Sequence, residues 1–360
     1  MIIVAPQFPP AIKGGGPTKS LSGIAKIFDE SEIDYIVITR NRDMDGTLLS
    51  ESKFEKKAIY LPKITFKSIV PYFKNSKLIW INTIYSFRYS IIPLLAIFFI
   101  EKQCILLSPR GQLLKGALSK KKIIYLHIFK LLLKISRHNI VVHYTNEGER
   151  NKSINVFRNF KTIVFNNPVF GKIEEVETQK NKNIVLGFFG RISPIKNIEF
   201  IINLMPSLSS EIKFQIHGTF EDQEYKDRLD ILIKDFNLQN RVTFFGDYGK
   251  SDFKTKAKKV DVFVIPSFSE NFCHVFFEAI EMKKIVVASS GLPWEEANNK
   301  VSRTILDLKS NLWINRLEQI NSYNLEEYTN EQEKLIEYYF KIQKSIHQNI
   351  INNFNELIKD

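Results

Sequence analysis

Residues 260–280 read VDVFVIPSFSENFCHVFFEAI and predict a strand, a short polar loop and a helix in succession. The apolar run over 262–265 stops at Pro266, and an apolar periodic segment follows the loop. Glu270 falls in the loop, and Glu278 falls two turns into the predicted helix. In open α/β sheets, ligands bind just beyond the carboxyl ends of the strands, where such loops lie. The stretch therefore predicts a ligand site in a parallel α/β domain.

The start of that helix, expected near Asn271, is a ready anion site because its N–H groups are free and its dipole end is positive. Eight positions would leave the two glutamates about 80° apart on one helix. The spacing therefore suits a ligand only if Glu270 precedes the helix and Glu278 binds a different part. A phosphate flanked by hydroxyl-rich groups describes a nucleotide sugar. The alternative is that both acids are merely solvated, with Glu270 complementing the helix dipole.

The rest of the chain alternates predicted strands and helices in two stretches, which favours parallel, doubly wound sheets. The first stretch contains predicted strands at 2–5, 33–39, 78–82, 105–107, 139–143 and 162–165. The second runs from 184 to about 304. The polar segment 171–183 between them is predicted to be a linker, and the pattern after residue 325 is helical.

Length and composition agree with a protein of two domains. The 360 residues are 44% hydrophobic and 25% charged, as is ordinary for a chain that buries two cores. The start, MIIVAPQ, leads directly into a strand without a signal sequence, and the longest apolar run, 91–100, is too short to span a membrane. Cys104 and Cys273 are expected to be reduced thiols in a cytoplasmic protein. The sequence offers no metal-ligand spacing, so no metal or other cofactor is expected.

The positive charge lies in the first half of the chain. Residues 1–175 carry 27 Lys and Arg against 13 Asp and Glu, whereas residues 176–360 carry 24 against 26. Between Lys115 and Arg137 there are seven basic residues, no acidic one, and many interleaved apolar residues. This pattern predicts a helix that lies on an anionic membrane surface. The alternative is a core-facing helix with a solvated edge; nucleic acid is not expected, since few aromatics interleave with the lysines.

Several segments resemble retaining glycosyltransferase family 4, of the type that assembles bacterial polysaccharide and lipopolysaccharide. PSFSENFCHVFFEAI at 266–280 resembles the E-x7-E signature of that family, and IVLGFFGRISPIKN at 184–197 resembles its G-R-x4-K-N strand and loop. Five shorter segments are also similar: SPRGQL at 108–113, HYT at 143–145, KFQIHG at 213–218, VTFFG at 242–246 and GLPWE at 291–295. Their combination in this order is more specific than any one of them.

The resemblance implies the GT-B fold, in which two Rossmann-like domains face each other across a cleft. Residues 1–170 would then bind the acceptor, 184–330 would bind the nucleotide sugar, and a helix in 331–360 would cross back to the first domain. The implied reaction transfers a sugar from a nucleotide-diphosphate sugar, with retention of configuration and without a metal. The implied acceptor is a lipid-linked saccharide for cell-surface polysaccharide, lipopolysaccharide or capsule. The protein would be peripheral on the inner face of the cytoplasmic membrane.

The same resemblance assigns the site residues. Catalytic roles fall to Glu270, Arg191 and Lys196, because fixed cations stabilise the charge that grows on the leaving diphosphate. The expected donor-binding residues are Glu278, Asn271, Phe272, Cys273, Gly15, Gly16, Gly218 and Tyr248. The expected acceptor-binding residues are Arg110, His143 and Thr145. His143 could instead be structural, and Trp294 could line the donor pocket or fill the core.

Two positions depart from the family pattern. Arg110 stands where many members carry His; Arg does not relay a proton at pH 7, so positioning is the expected role. Cys273 stands where Gly is usual, and its side chain could crowd the donor. These departures leave two alternatives open: a nucleotide-sugar-binding protein with impaired catalysis, and a GT-B UDP-sugar 2-epimerase, which needs no acceptor.

Overall fold

The computed structural model describes residues 1–113, 120–175 and 177–359, and the chain forms two compact units. Unit 1 consists of Met1–Val169 and Lys344–Asp360, and unit 2 of Phe170–Gln343. Lys115, the first lysine of the predicted membrane segment, lies outside the described residues. Among the described helices, none has both the length and the apolar character needed to cross a bilayer.

Unit 1 is built on a sheet of seven parallel strands in the order β3-β2-β1-β4-β5-β6-β7. The strands are β1 (Ile2–Val4), β2 (Ile36–Arg40), β3 (Ala58–Leu61), β4 (Leu78–Ile81), β5 (Cys104–Leu107), β6 (Asn139–Tyr144) and β7 (Lys161–Val164). The central strands are runs such as LIWI and CILL, buried along their whole length, as expected for a sheet covered on both faces. The strand β3 was not predicted from the sequence; it is a four-residue edge strand, AIYL, that is only half-buried.

Helices cover the sheet of unit 1. They are α1 (Gly15–Glu30), α2 (Phe66–Lys74), α3 (Ile92–Ala96), α4 (Lys120–Ile135) and α5 (Glu147–Phe157), with a π-helical turn at Phe87–Ile91 and 3-10 turns at Glu51–Lys53 and Ile97–Phe99. Local sequence sets their starts. Thr65 and Ser68 form a capping box at α2, and the Asn146 side chain accepts the Glu149 N–H at α5.

Unit 2 is built on a sheet of six parallel strands in the order β10-β9-β8-β11-β12-β13. The strands are β8 (Val185–Phe189), β9 (Lys213–His217), β10 (Val242–Phe244), β11 (Val262–Ile265), β12 (Ile285–Ser289) and β13 (Ile305–Leu306). The order reverses between β8 and β11, as it does in unit 1 between β1 and β4. Each unit is therefore a doubly wound, Rossmann-like α/β domain.

The helices of unit 2 surround this sheet. They are α6 (Ile198–Leu204), α7 (Gln223–Asp235), α8 (Lys250–Ala257), α9 (His274–Glu281), α10 (Ser310–Ser322) and α11 (Leu325–Lys359), with 3-10 turns at Pro194–Lys196, Met205–Ser207 and Glu295–Asn299. The core combines apolar strand residues with buried helix residues such as Leu229, Trp313 and Leu317.

The chain passes between the two units at two points, after Val169 and within α11. The helix α11 is continuous, and its residues up to Gln343 belong to unit 2 while those from Lys344 belong to unit 1. The polar segment predicted to be a linker is part of unit 2. Asn181 in that segment donates a hydrogen bond from its side chain to Asp261 at 2.9 Å.

Candidate functional site

The predicted catalytic residues of unit 2 follow β8 and β11, the neighbouring strands at which the sheet order reverses. In doubly wound sheets the two chain segments leave such a switch point in opposite directions, which opens a crevice beyond the carboxyl ends of the strands. The loop after β8 contains Arg191 and Lys196, and the loop after β11 contains Glu270.

Two of these side chains meet although 74 positions separate them in the chain. The Lys196 Nζ lies 2.5 Å from the Glu270 Oε1, and the Ser267 hydroxyl donates to the same oxygen at 2.8 Å. The Lys196 side chain is 19% exposed and that of Glu270 is 12% exposed. The pair is therefore shielded from bulk solvent yet still reachable by a ligand, which strengthens its electrostatic interactions.

Backbone contacts fix the two loops against each other. The Phe268 N–H donates to the Ile195 carbonyl at 2.9 Å, and the Asn197 side chain donates to the Pro266 carbonyl at 3.2 Å. Asn197 has φ 53°, a left-handed conformation that Asn tolerates better than most residues. These bonds position the Lys196 backbone beside the loop that contains Glu270.

The GLPWE segment supports the loop after β11. The Glu270 N–H donates to the Gly291 carbonyl at 2.9 Å. A Cβ on Gly291 would lie 2.5 Å from the Ser267 carbonyl oxygen, so only glycine allows this approach. Trp294 is 4% exposed and donates to the Phe272 carbonyl at 2.5 Å. Of the two roles that the sequence allowed for Trp294, these contacts favour the core.

The helix after the loop begins at His274, three residues later than the expected start near Asn271. Asn271 and Phe272 therefore lie in the loop before the helix, and the positive end of the helix dipole is at His274. Cys273 caps the helix with φ 67° and ψ 72°. This left-handed conformation favours glycine, which gives a physical reason for the family preference at this position.

Electrostatic effects show which other side chains are close to this helix start. Burial raises the pKa of the Cys273 thiol well above its ordinary value, and the nearby Glu270 and Glu278 carboxylates add to the shift while Lys196 opposes it. Burial also raises the pKa of Tyr248, with a further contribution from Glu278. Lys196, Glu270, Glu278 and Tyr248, predicted from separate parts of unit 2, thus lie within electrostatic range of Cys273.

Arg191 does not contact this cluster in the described structure. Its guanidinium pairs with Glu221, and its side chain is 68% exposed. Gly218, which follows β9, is required for backbone packing: a Cβ there would lie 1.7 Å from the Gly190 carbonyl oxygen. Gly218 has φ 150°, outside the range that side-chain-bearing residues readily adopt.

In unit 1 the loop that precedes Gly15 is anchored by an acid that was not identified from the sequence. The buried Asp43 carboxylate accepts the Ile12 N–H at 3.0 Å and the Lys13 N–H at 3.1 Å. Gly15 follows as the first residue of α1 with φ 61°, and a Cβ on it would meet no atom of the described residues within 4 Å. The space beside Gly15 is thus open at the helix start, and Gly16 is the next residue of the helix.

The loop after β5 contains Arg110, whose guanidinium is held by two neutral amides. Its Nε donates to Asn82 at 2.7 Å, and its Nη1 donates to Asn167. The Nη2 group is buried and has no hydrogen-bond partner in the described part of the chain. Burial lowers the pKa of Arg110 to about 10, so the group remains charged at neutral pH.

His143 lies in the core beside this loop. The Ser108 hydroxyl bonds to its Nδ1 at 2.8 Å, and its Nε2 lies 2.9 Å from the Phe165 carbonyl, which can only accept. Trp80 donates to Ser108 at 2.7 Å, which completes the chain of bonds. Burial lowers the pKa of His143 well below its ordinary value, so the ring is neutral. These contacts favour the structural role that the sequence allowed for His143.

Thr145 is similarly engaged. Its N–H and hydroxyl both donate to the Glu149 carboxylate, at 2.9 and 2.6 Å, and Thr145 is 1% exposed. Glu149 also accepts the Gly111 N–H and so connects the loop after β5 to the start of α5. No local sequence pattern singles out Glu149, Asn82, Asn167 or Ser267. Each forms a hydrogen bond to a site residue that only the fold brings close to it.

The clusters of His, Cys, Asp and Glu among the described residues include none that could hold a metal ion. The arrangement in unit 2 instead combines a shielded cation, a carboxylate that can accept hydroxyl hydrogen bonds, and a helix start.

The whole-chain fold is that of GT-B proteins. The crystal structure of Anabaena HepE in complex with UDP and glucose matches with a TM-score of 0.71 and 17% identity over 99% of both chains. Sucrose-phosphate synthase from Thermosynechococcus elongatus matches with a TM-score of 0.69 and 15% identity over 99% of this chain and 98% of that one. At such identities these likenesses show the fold alone.

Sequence comparison finds a family match for the second unit. Residues 170–341, nearly all of unit 2, match the family Glycosyl transferases group 1. An uncharacterized glycosyltransferase of Methanocaldococcus jannaschii is 32% identical over 117 residues, which are 32% of this chain and 29% of that protein. The aligned part thus spans less than a third of the curated relative.

Proposed function

We propose that the chain is a glycosyltransferase that moves a sugar from a nucleotide-diphosphate sugar to a saccharide acceptor. The observation that carries the proposal is the contact between Lys196 and Glu270 across the switch point of unit 2. A cation and a carboxylate fixed side by side match a ligand whose diphosphate and sugar hydroxyls are neighbours.

In this proposal Lys196 stabilises the diphosphate as it leaves. The negative charge on that group grows toward the transition state, so a cation already held in place lowers the barrier more than it strengthens ground-state binding. Glu270 accepts hydrogen bonds from sugar hydroxyls, and its contact with Ser267 orients it for that purpose. The positive end of the α9 dipole at His274 adds further stabilisation of the diphosphate charge.

The remaining donor contacts fall to residues around Cys273. Glu278 is assigned to the ribose hydroxyls. The partly buried Tyr248 lies near it, since the Glu278 charge contributes to the raised pKa of Tyr248. Arg191 is assigned to the diphosphate, for which its guanidinium would leave the exposed Glu221. Exposed ion pairs are worth only ~0–1 kcal/mol, so a phosphate can displace such a partner at little cost.

We further propose that the reaction retains the anomeric configuration. Two opposed carboxylates serve as acid and base or nucleophile in glycosidases, whereas here the Glu270 carboxylate is bound by Lys196 and Ser267. In the proposed mechanism the acceptor attacks from the side of the leaving group, and a phosphate oxygen takes its proton. Neither glutamate is then required to form a covalent intermediate.

For the acceptor we propose a lipid-linked saccharide used in cell-surface polysaccharide assembly, handled by a protein peripheral to the cytoplasmic membrane. The excess of basic residues in the first half of the chain supports this choice, because anionic membrane surfaces attract such regions. The buried guanidinium of Arg110 is the acceptor contact we retain, since it stays charged and is fixed by two amides.

The donor can be identified by measuring release of the nucleoside diphosphate from a panel of UDP-, GDP- and ADP-sugars, with membrane extract as the acceptor. UDP-glucose comes first, because HepE was crystallised with UDP and glucose. Lys196→Ala and Glu270→Ala are each expected to lower turnover by about 100-fold or more.

The chain offers a matched control for these variants. Lys226 and Asp230 form an ion pair with the same 2.5 Å separation, but their side chains are 36% and 45% exposed. Lys226→Ala and Asp230→Ala are expected to leave turnover within about twofold of the parent. Equal turnover in all four variants would contradict the site. The stereochemistry of the product, read from its anomeric NMR signal, tests retention separately.

One observation favours a second candidate, a nucleotide-sugar-binding protein with impaired catalysis. Cys273 has a left-handed backbone and a buried side chain beside Glu270, where a glycine would leave space for the donor. This alternative predicts donor binding by calorimetry without release of the nucleoside diphosphate, and restored release in Cys273→Gly. A 2-epimerase would instead interconvert UDP-sugars without any acceptor.

A further inference from the structure

The helix α4 has two apolar faces, of which the described residues cover only one. Leu126, Phe129 and Leu133 lie at 8%, 0% and 1% exposure and belong to the core of unit 1. On the opposite face Ile124, Ile128, Leu131 and Ile135 have exposures of 65%, 55%, 59% and 62%. We call these four residues the α4 stripe.

The α4 stripe is one continuous row. Its members are four, three and four positions apart, and at about 100° per residue they fall within roughly 60° of one another around the helix. Single exposed apolar residues are ordinary on protein surfaces, whereas a contiguous row of large aliphatic side chains marks a site of contact. The stripe therefore requires a partner that offers an apolar environment.

One exposed aromatic residue lies on the segment to which the end of α4 is bonded. Arg137, just past the end of α4, donates to the Ile100 carbonyl at 2.7 Å, and His138 bonds to the Ile97 carbonyl at 2.7 Å. Between these two contacted residues, Phe99 is 65% exposed. The segment that is bonded to the end of α4 thus carries a further exposed hydrophobic group.

The charges around the stripe indicate which kind of partner it binds. From residue 102 to residue 146 the chain has no Asp or Glu. Lys134 is exposed and Lys130 is half-buried, and both follow the same helix on one flank of the stripe. A helix with an apolar row and a basic flank has the composition of one that lies in the headgroup region of an anionic bilayer.

We infer that α4 inserts the side chains of Ile124, Ile128, Leu131 and Ile135 into the surface of an anionic lipid bilayer, with its lysines at the headgroups. This inference rests on the proposed function for its purpose, because a lipid-linked acceptor is presented at that surface. It differs from attraction by lysines alone, since it requires apolar side chains to enter the acyl region.

The first test is flotation of the full chain with vesicles of phosphatidylglycerol and phosphatidylcholine, and with phosphatidylcholine alone. The parent is expected to float with the anionic vesicles and to do so less at high salt, because salt screens the lysines. Ile128→Glu with Leu131→Glu is expected to lower the partition coefficient by about tenfold or more.

The matched control is Ile231→Glu in unit 2, because Ile231 is 57% exposed on α7, close to the exposures of Ile128 and Leu131. This variant is expected to float as the parent does. Circular dichroism and thermal melting check that all variants are folded, as expected for substitutions at exposed positions.

A labelled variant tests insertion itself. Cys104 and Cys273 are buried, so an environment-sensitive dye attached to Ile128→Cys reports on one position. Its emission is expected to shift to the blue on anionic vesicles, whereas the dye on Ile231→Cys is expected to show no shift. A shift at neither position, with flotation intact, would mean that lysines alone hold the surface and would overturn the inference.

Other outcomes are equally decisive. Failure of the parent to float with anionic vesicles would refute the inference, as would unchanged flotation of the doubly substituted variant. A dimer in sedimentation velocity that the double substitution dissolves would show that a second copy of the chain covers the stripe.

Nucleotide-sugar binding measured without vesicles separates this inference from the proposed function. The doubly substituted variant is expected to bind the donor normally, while Lys196→Ala is expected to float normally and lose turnover.

Discussion

The carboxyl edges of the two sheets use the same residue type in opposite ways. Glu149 in unit 1 is 2% exposed and accepts three hydrogen bonds, from Gly111 and from two groups of Thr145. Glu270 in unit 2 is 12% exposed and contacts Lys196 and Ser267. The first carboxylate has its acceptor positions filled by backbone and side chain, so it holds loops together. The second keeps acceptor capacity toward the crevice, so it is available to a ligand.

The buried histidines show a similar contrast. His143 in unit 1 has both ring nitrogens bonded, whereas His217 in unit 2 is 1% exposed and its Nδ1 has no partner among the described residues. His217 is held mainly by stacking between Phe189 and Phe245, at centroid distances of 4.3 and 4.8 Å. Both histidines are buried, so burial does not distinguish a polar group that holds a hydrogen-bond network from one that only packs. The number of hydrogen bonds that the group forms does distinguish them.

The largest expected effect is on catalysis. Glu270→Gln keeps the size of the side chain but removes the charge that holds Lys196, so release of the nucleoside diphosphate should fall by about 100-fold. The melting temperature should change little, because the side chain is near the surface of the crevice. Glu224→Gln, at an exposed position on α7, is the control. If Glu270→Gln lost much stability and no turnover, Glu270 would have the structural role that we assign to Glu149, and the contrast would be wrong.

The converse variant should act on stability. Glu149→Gln places an amide N–H among donors that need an acceptor, which should cost about 3 kcal/mol of unfolding free energy. Denaturant unfolding measures it. Glu147→Gln, two residues earlier and exposed in its pair with Arg150, should cost less than about 1 kcal/mol. Equal losses in the two variants would show that the network around Glu149 is not stabilising.

The third prediction concerns acid. Burial lowers the pKa of His217 to about 4, below the unfolded value near 6.5. Above pH 6.5 both states are neutral, so the residue makes no contribution to pH dependence. As the pH falls from 6.5 toward 4, the unfolded chain binds a proton that the folded chain does not, and stability is lost. By pH 5 the loss should be about 2 kcal/mol.

Two substitutions sharpen this prediction. His217→Phe retains the aromatic stack and removes the titrating group, so unfolding should depend less on pH between 6.5 and 4 while stability at pH 7 stays close to the parent. His143→Phe should destabilise at pH 7 as well, because it leaves the Phe165 carbonyl without its donor and the Ser108 hydroxyl without its acceptor. An unchanged pH dependence in His217→Phe would contradict the assignment.

The smallest effect is expected at Cys273. Its left-handed backbone costs a residue with a side chain about 1 kcal/mol relative to glycine, so Cys273→Gly should be slightly stabilising despite the greater flexibility of the unfolded chain. Thermal unfolding of the two proteins measures it. Cys104→Gly is the matched control: Cys104 lies in β5, and that substitution should destabilise.

Much of the fold could be predicted because apolar runs bounded by polar loops are local signals. The six predicted strands of unit 1 are all present, whereas β3, a four-residue edge strand that is only half-buried, was not predicted. The start of α9 was placed three residues early, since the left-handed Cys273 that begins the helix leaves no trace in apolar periodicity. The fold brings Lys196 and Glu270, both predicted as catalytic, into contact, whereas the pairing of Arg191 with Glu221 was not foreseen.

By itself, the sequence determined the alternation of strands and helices, the division of charge between the two halves, and the presence of acidic and basic residues at loop positions that follow strands. Tertiary structure alone decided which of those residues are in contact and which have their hydrogen bonds filled within the protein. It also decided which face of α4 the described residues leave uncovered. The physical reason is that hydrophobic periodicity is written along the chain, whereas a hydrogen-bond partner or a covering surface comes from residues far away in it.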